Sequence, residues 1–509
     1  MKNNGCMADV GHDLMPGRDS SMGDLKGTAV RSGAVTLGTQ AIIFVLTIVS
    51  TMVLARLLTP SEHGLMAMVL PFTGLLLLFA DLGLSTATIQ RAKLTIREAS
   101  GLFWVNVAIG LVLGISVGLA APVVAWFYAE PAVAGIAMAL AIGFPLNGLL
   151  VQHKAILRRQ LKFTRVAVVD VVSMAMSVLI AVTLAFTGAG YWSLVAMHLA
   201  RISCSCIGYW LACGWVPEGP ASVRGTKELL QFGVNIAGAN FFNFVARNID
   251  QVAIGKVHGP AEVGLYARAY QIMMLPIVNL REPLLRVSLP LLSSLQNDHE
   301  RYRKMYVEYV SVLAFLSMPL TAFLFAFADE LVAVVLGEQW GGAAPMFAFL
   351  AVAAFIQVPA SSRGTVSISF GLARRYLAWQ ALNVIAVATG VLIGVNWGGV
   401  GVAIAYAMVS WLLLIPSTLL LFRGTPISPL DFYSSVVTPA VASVTMVVLV
   451  EWILSHFGSL SAFATLGIAG LLAGPLYLGI WMILPTTRRR LKYTLSLIRH
   501  LRKPVSTET

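Results

Sequence analysis

Six arginines fall inside apolar runs of this sequence: Arg201, Arg247, Arg268, Arg281, Arg286 and Arg363. A guanidinium is costly to bury in an apolar medium, and it forks onto carboxylate or phosphate oxygens through paired N–H donors. The acids available to neutralise these cations are fewer. Asp170, Asp250 and Glu282 sit within apolar runs, Asp81 near the end of one, and Glu451 in another. An excess of cations over acids suits an anionic cargo. Each arginine has a plainer alternative: pairing with an acid, reaching to a headgroup, or capping a helix C-terminus. One stretch, "FGVNIAGANFFNFVARNIDQVAIG" (232–255), places Asn240, Asn243, Arg247 and Asp250 on one face at helical spacing. Such a stripe either bonds to neighbouring helices or forms a cavity wall that meets sugar hydroxyls or phosphate. Arg247 and Asp250, three residues apart, are the expected internal ion pair. Arg281 and Glu282 are adjacent and are not expected to face each other. Asp170, Asp250 and Glu282 are candidate sites for proton or sodium coupling.

The elements that carry these residues must be membrane-spanning. The chain has 509 residues, 58% hydrophobic and 11% charged, with a mean hydropathy of +0.81. A soluble protein carries about 25% charged residues. Apolar runs of about 20 residues, each long enough to cross a bilayer as a helix, recur along the chain. Fourteen spans are expected, at about 29–55, 64–86, 100–126, 132–153, 165–188, 190–214, 228–254, 262–294, 307–327, 342–363, 376–396, 398–421, 434–456 and 461–484. Residues 1–28 lack the apolar core of a signal peptide and read as a disordered cytoplasmic tail. Residues 486–509 form a basic tail.

The basic residues orient the bundle. With the N-terminus inside, 27 of the 35 Lys and Arg fall in cytoplasmic segments and only Arg56 and Lys256 fall outside, the other six being the arginines within spans. This positive-inside bias puts both termini in the cytoplasm. It also accounts for the net charge of +12 through an anionic inner leaflet. Nucleic acid is not needed as a partner. By depth, at about 1.5 Å per residue, Arg247 and Arg268 fall toward the outer side and Arg201 near the middle. Arg281, Arg286 and Arg363 fall toward the inner mouth.

A repeat organises the spans. "TPSEHGLMA" (59–67) and "GPAEVGLYA" (259–267) share Pro, Glu, Gly, Leu and Ala at matching places. The first joins spans 1 and 2; the second joins spans 7 and 8. An even number of spans separates them, so the two halves run parallel, as lobes 29–214 and 228–421 with an appended pair of spans at 434–484. A second echo pairs "LRRQLKF" (157–163) with "ARRYLAW" (373–379). Pro60 and Pro260 suit the first turn of a helix, and Glu62 and Glu262 suit its positive end. The joint therefore reads as a helix-start device. Pro276, Pro283 and Pro290 recur every seven residues along span 8 and predict a bent helix.

Enzymatic and cofactor signals are absent. No phosphate-binding loop, dinucleotide fingerprint or paired catalytic carboxylates stand at a mouth of the bundle. The four cysteines and eight histidines have no metal-ligand spacing. No cofactor is expected beyond a coupling ion.

Several segments together carry a family resemblance: "NIDQVAIGKVHGPAEVGLYARAYQIMMLP" (248–276), "ARLLTPSEHG" (55–64), "DLGLSTATIQR" (81–91) and "LGEQWGGAAP" (336–345). Over about residues 25–425 the chain resembles the polysaccharide-transporter branch of the MOP flippase superfamily, which serves bacterial exopolysaccharide, O-antigen and capsule assembly. The resemblance implies an all-α integral membrane protein with two six-helix lobes in a V-shaped bundle. It implies a flippase, not an enzyme, that moves an undecaprenyl-pyrophosphate-linked oligosaccharide from the cytoplasmic to the periplasmic leaflet of the inner membrane by alternating access. A polysaccharide polymerase and co-polymerase are the partners it suggests. Family members carry a basic residue in span 1 facing a central cavity; the residue of that kind here is Arg31. In this reading Arg281, Arg286 and Arg363 receive the diphosphate, and Arg201, Arg247 and Arg268 hold it later. The alternative within the superfamily is a multidrug or small-molecule cation antiporter, which would favour buried carboxylates over six arginines. A membrane polymerase or ligase would need a sizeable outer loop.

Overall fold

The computed structural model describes residues 22–80, 83–90, 94–220, 226–458 and 460–483. Side chains of residues 22–32, 34, 87, 90, 226–240, 242 and 243 are outside that description. Residues 1–21 of the expected tail 1–28 and the whole expected tail 486–509 also lie outside it, with Asp81, Arg91, Lys93 and Arg224, while residues 22–28 are helical. Among the described residues every regular element is a helix.

The helices run α1 (Met22–Leu57), α2 (Pro60–Leu77), α3 (Leu84–Gln90), α4 (Ile96–Tyr128), α5 (Ala132–Ala141), α6 (Gly143–Arg159), α7 (Phe163–Phe186) and α8 (Trp192–Cys213). There follow α9 (Thr226–Ser294), α10 (His299–Ala326), α11 (Ala328–Val335), α12 (Ala343–Ala360), α13 (Ser362–Ser369), α14 (Ala373–Gly394), α15 (Gly398–Leu412), α16 (Leu414–Phe422), α17 (Pro429–Leu454) and α18 (Ala462–Ile483). Among the described residues ten helical segments are long and apolar enough to cross a membrane, so this is a multi-pass membrane protein. One of them, Ala373–Phe422, holds the expected spans 11 and 12. The fourteen-span reading further takes α2 and both arms of α9 as crossings.

The chain divides into two compact units, residues 1–244 with 259–261, and residues 245–258 with 262–509. In the first unit α4 and α6 approach closely. A Cβ at Gly110 would lie 2.6 Å from the Phe144 carbonyl oxygen, and one at Gly148 would lie 2.6 Å from that of Asn106. Small residues at such crossings let backbones pack where lipid removes the hydrophobic drive. At the end of this unit His153 stacks on Trp210 (4.3 Å between ring centroids) among Phe103 and Trp215. Trp104 Nε1 donates to the Glu218 carbonyl (2.8 Å), and the Glu218 amide donates to Ser100 Oγ (2.9 Å). The segment after α8 is thus stitched back onto α4.

In the second unit α17 and α18 pack on α10 and α11 through Phe315, Phe327, Met446, Val450, Tyr477 and Trp481. Arg303 closes this packing at the start of α10: its Nε and Nη2 donate to Asp431 Oδ1 at 2.9 and 2.6 Å. Asp431 also completes a capping box with Ser428 at the start of α17.

The repeated joints form as helix starts. Thr59 caps α2, its amide and hydroxyl donating to Glu62 Oε2 at 2.7 and 2.9 Å. The second joint is shorter than the sequence suggests. Helical conformation runs through Gly259 with a single break (φ 80°, ψ −173°), because glycine supplies the left-handed turn and Pro260 restarts the helix.

The second echo forms in a different register. The turn after α6 has Leu161 at φ 55°, and its counterpart after α13 has Gly371 at φ 68°. Residues 157–163 therefore match 367–373, and the real equivalents are Arg165 and Arg375. Each donates Nη1 to a carbonyl at the end of a later helix of its unit, Ala212 on α8 (2.7 Å) and Arg423 just after α16 respectively.

Candidate functional site

The six arginines divide between the units. Arg201 lies on α8 of the first, exposed, in electrostatic range of Lys154 and His198. Asp170 on α7 is already engaged there. Lys154 Nζ donates to it at 3.1 Å and Tyr209 Oη at 2.6 Å, with Lys154 also over the Tyr209 ring. As a coupling candidate Asp170 thus sits inside a formed ion pair. The other five arginines belong to the second unit.

Two expected relationships of the acids are corrected. Asp250, 3% exposed, does not pair with Arg247. It accepts from Tyr266 Oη at 2.8 Å and from the Gln251 amide at 2.8 Å, while Arg247 is exposed on α9. The phenol reaches Asp250 from α9's other arm, so a tertiary contact displaces the local i, i+3 pair. Arg281 and Glu282, expected to diverge, form an ion pair of 2.8 Å between Nη2 and Oε1. Their Cβ atoms diverge on the helix, but both side chains are long enough to bend their tips together.

Arg268 donates Nη1 to Gln271 Oε1 at 2.5 Å. Arg286 is exposed on α9. Arg363 donates Nε to the Ala360 carbonyl (2.7 Å) and Nη1 to that of Leu414 (3.3 Å). Asn240 and Asn243 lie on α9, their side chains outside the described residues, as is that of Arg31 on α1.

What the fold brings together is a cluster around Tyr376 at the start of α14. Arg247, Arg281 and Arg363 all lie within its electrostatic range. Its hydroxyl reaches α13 at Gly364, where a Cβ would stand 3.0 Å from it. Tyr306, Tyr376 and Tyr433 lie within electrostatic range of Arg363. Tyr309 lies close to Thr365 and within electrostatic range of Arg281 and Glu282. A second aromatic group, Tyr270 and Tyr406, lies near Arg247 and Asp250. The cluster is therefore guanidinium and phenol, with Glu282 ion-paired to Arg281.

These tyrosines were not among the sequence candidates, although a signal existed. Tyr302, Tyr306 and Tyr309 recur at i, i+4 and i+7 in "ERYRKMYVEYV" (300–310). They fall on the buried face of α10, where Tyr302 pairs with Ser369 (2.6 Å) and Tyr306 with Ser362 (3.0 Å). Phenols give an apolar helix a hydrogen-bonding face without a formal charge. Among the described residues no group of three or more His, Cys, Asp or Glu could hold a metal ion.

This arrangement can bind an anion that carries hydrogen-bond acceptors. Known proteins similar to the chain include teichuronic acid biosynthesis protein TuaB of Bacillus subtilis (strain 168). It is 26% identical over 414 residues, 79% of this chain and 84% of that protein. The succinoglycan biosynthesis transport protein ExoT of Rhizobium meliloti (strain 1021) is 27% identical over 471 residues, 91% of this chain and 93% of that one. Among solved structures, lipid II flippase MurJ in an inward closed conformation superposes with a TM-score of 0.71 at 12% identity, over 89% of this chain and 98% of MurJ. That likeness shows a shared fold. A family model described as polysaccharide biosynthesis protein matches residues 53–345. The match takes in more than half of the sequence, and the chain belongs to the family of polysaccharide biosynthesis proteins.

Proposed function

We propose that the chain is a flippase for an oligosaccharide linked to undecaprenyl pyrophosphate. It carries the headgroup from the cytoplasmic to the periplasmic leaflet of a bacterial inner membrane by alternating access. The observation that carries this reading is the convergence of Arg247, Arg281 and Arg363 on Tyr376 inside an apolar helical unit. Moving a charge from water into hydrocarbon costs up to about 20 kcal/mol in the idealised limit. A cationic, phenol-lined surface replaces the lost hydration of a diphosphate, and the prenyl chain stays in lipid. The names of the relatives agree in kind: one is a transport protein of succinoglycan biosynthesis, and the structural neighbour is a lipid II flippase.

The positive-inside bias puts both termini in the cytoplasm and the start of α10 and α14 on the same side. Arg281, Tyr309 and Tyr376 then stand at the entry side of the cycle. Arg268 and Arg201 act later, and the polymerase that consumes the cargo outside supplies the direction. The chain itself performs no bond chemistry. The test is in cells that depend on this protein for polymer. Arg281→Gln and Arg363→Gln should leave its abundance in the membrane unchanged, lower export and accumulate the lipid-linked glycan. Normal export from both variants would contradict the reading.

A further inference from the structure

We propose that Arg281, Tyr309 and Thr365 form one subsite for a phosphate oxygen, and that Glu282 is the resident counter-ion which this oxygen displaces. The proposal rests on the reading of the arginine cluster given above and deepens it.

Three polar atoms are buried without a well-formed hydrogen bond, Arg281 Nε, Tyr309 Oη and Thr365 Oγ1, and Tyr309 lies close to Thr365 and within electrostatic range of Arg281. Tyr309 is 5% exposed and Thr365 2%. They come from three helices, α9, α10 and α13. Tyr309 and Thr365 are neighbours, yet their hydroxyls lack the geometry of a mutual hydrogen bond. The two preceding members of the α10 stripe are satisfied, Tyr302 by Ser369 and Tyr306 by Ser362. Buried donors with no acceptor are disfavoured and uncommon in folded proteins. A guanidinium N–H together with two O–H groups calls for an acceptor with negative charge.

Glu282 supplies only part of that need. It takes a single nitrogen of Arg281, Nη2, at 2.8 Å, and leaves Nε bare. A phosphate oxygen is also an acceptor. A phosphate can take Nη2 and Nε together, the side-on fork that arginine prefers, while its remaining lone pairs meet the two hydroxyls. Glu282 is more exposed than Arg281, with side chains 37% and 22% accessible, so it can swing away without crossing the packed interior. The adjacent ion pair thus holds the guanidinium in place until the headgroup arrives.

The test uses the full chain in lipid nanodiscs, with inorganic pyrophosphate and farnesyl pyrophosphate as probes, titrated by calorimetry. Tyr309→Phe and Thr365→Val should each weaken binding of both probes about tenfold, the scale of one hydrogen bond to a charged group. The melting temperature without probe should hardly change, because neither hydroxyl makes a well-formed hydrogen bond in the free protein. Glu282→Gln should tighten binding severalfold. A lipid headgroup as the source predicts farnesyl pyrophosphate tighter than inorganic pyrophosphate, and a free anion predicts no such preference. If Arg281→Gln weakens binding but Tyr309→Phe and Thr365→Val do not, the hydroxyls hold only water and the subsite is wrong while the cluster reading stands. Unchanged affinity in Glu282→Gln overturns the counter-ion role. If the wild-type chain binds neither probe, the cluster reading itself fails and this proposal with it.

Discussion

Glu262 Oε1 accepts a 2.9 Å hydrogen bond from the backbone N–H of Gly399, 137 residues along the chain. The amide is in the first turn of α15, one of the donors a helix start leaves unpaired. Its repeat counterpart Glu62 completes a local capping box with Thr59, and also stands where a Cβ on Gly190, just before α8, would be 2.5 Å away. In both units the joint's glutamate meets a glycine at a helix start, that of α8 in the first and that of α15 in the second.

A stability order follows from that tie. Glu262→Ala removes both an acceptor and a favourable charge at a helix N-terminus, and should cost about 1–2 kcal/mol. Glu262→Gln keeps an acceptor and should cost less. Thermal unfolding of the purified protein in detergent measures both. Equal melting temperatures for wild type and Glu262→Ala would mean that the bond holds nothing.

Asp431 has two tasks and Arg303 one. Asp431 closes the capping box of α17 and receives the Arg303 guanidinium. Asp431→Ala should therefore lower the melting temperature more than Arg303→Ala. The gap should correspond to about 1 kcal/mol, the usual worth of a helix cap. Arg303→Ala matching or exceeding Asp431→Ala would reverse this assignment.

The pair of Lys154 and Asp170 should behave as structure. Losing either partner strands a half-buried charge, at about 2 kcal/mol for this partly accessible site. Lys154→Met and Asp170→Leu should each reduce the amount of folded protein, and the double variant should recover much of it. Export per folded molecule should then approach wild type. A double variant that is abundant but inert would instead make Asp170 part of the transport cycle.

Much of this was legible because it is local. Hydropathy runs, the Pro and Glu of a helix's first turn, and arginines in apolar segments announce themselves within a few residues. The register of Arg165 with Arg375 was not legible. The matching feature is a left-handed turn residue, Leu161 in one copy and Gly371 in the other, and the side chains around it differ. Asp250 read as Arg247's partner because the two are close in sequence, while Tyr266 reaches it through the break at Gly259. The tyrosines of α10 were hidden for a related reason. In a membrane protein tyrosine is expected at the interface, and only the packing of α10 on α13 shows it facing inward.

The most direct test of the central claim is translocation in a defined system. Proteoliposomes containing only this chain would receive a fluorescent oligosaccharide on a prenyl pyrophosphate, with inner and outer leaflet pools separated by a membrane-impermeant quencher. The wild type should move the lipid between leaflets, Arg281→Gln should be at least about tenfold slower, as expected for the loss of one charge-assisted contact, and a cationic dye should not be transported. Wild-type protein that leaves the glycolipid in its original leaflet while moving the dye would contradict the account.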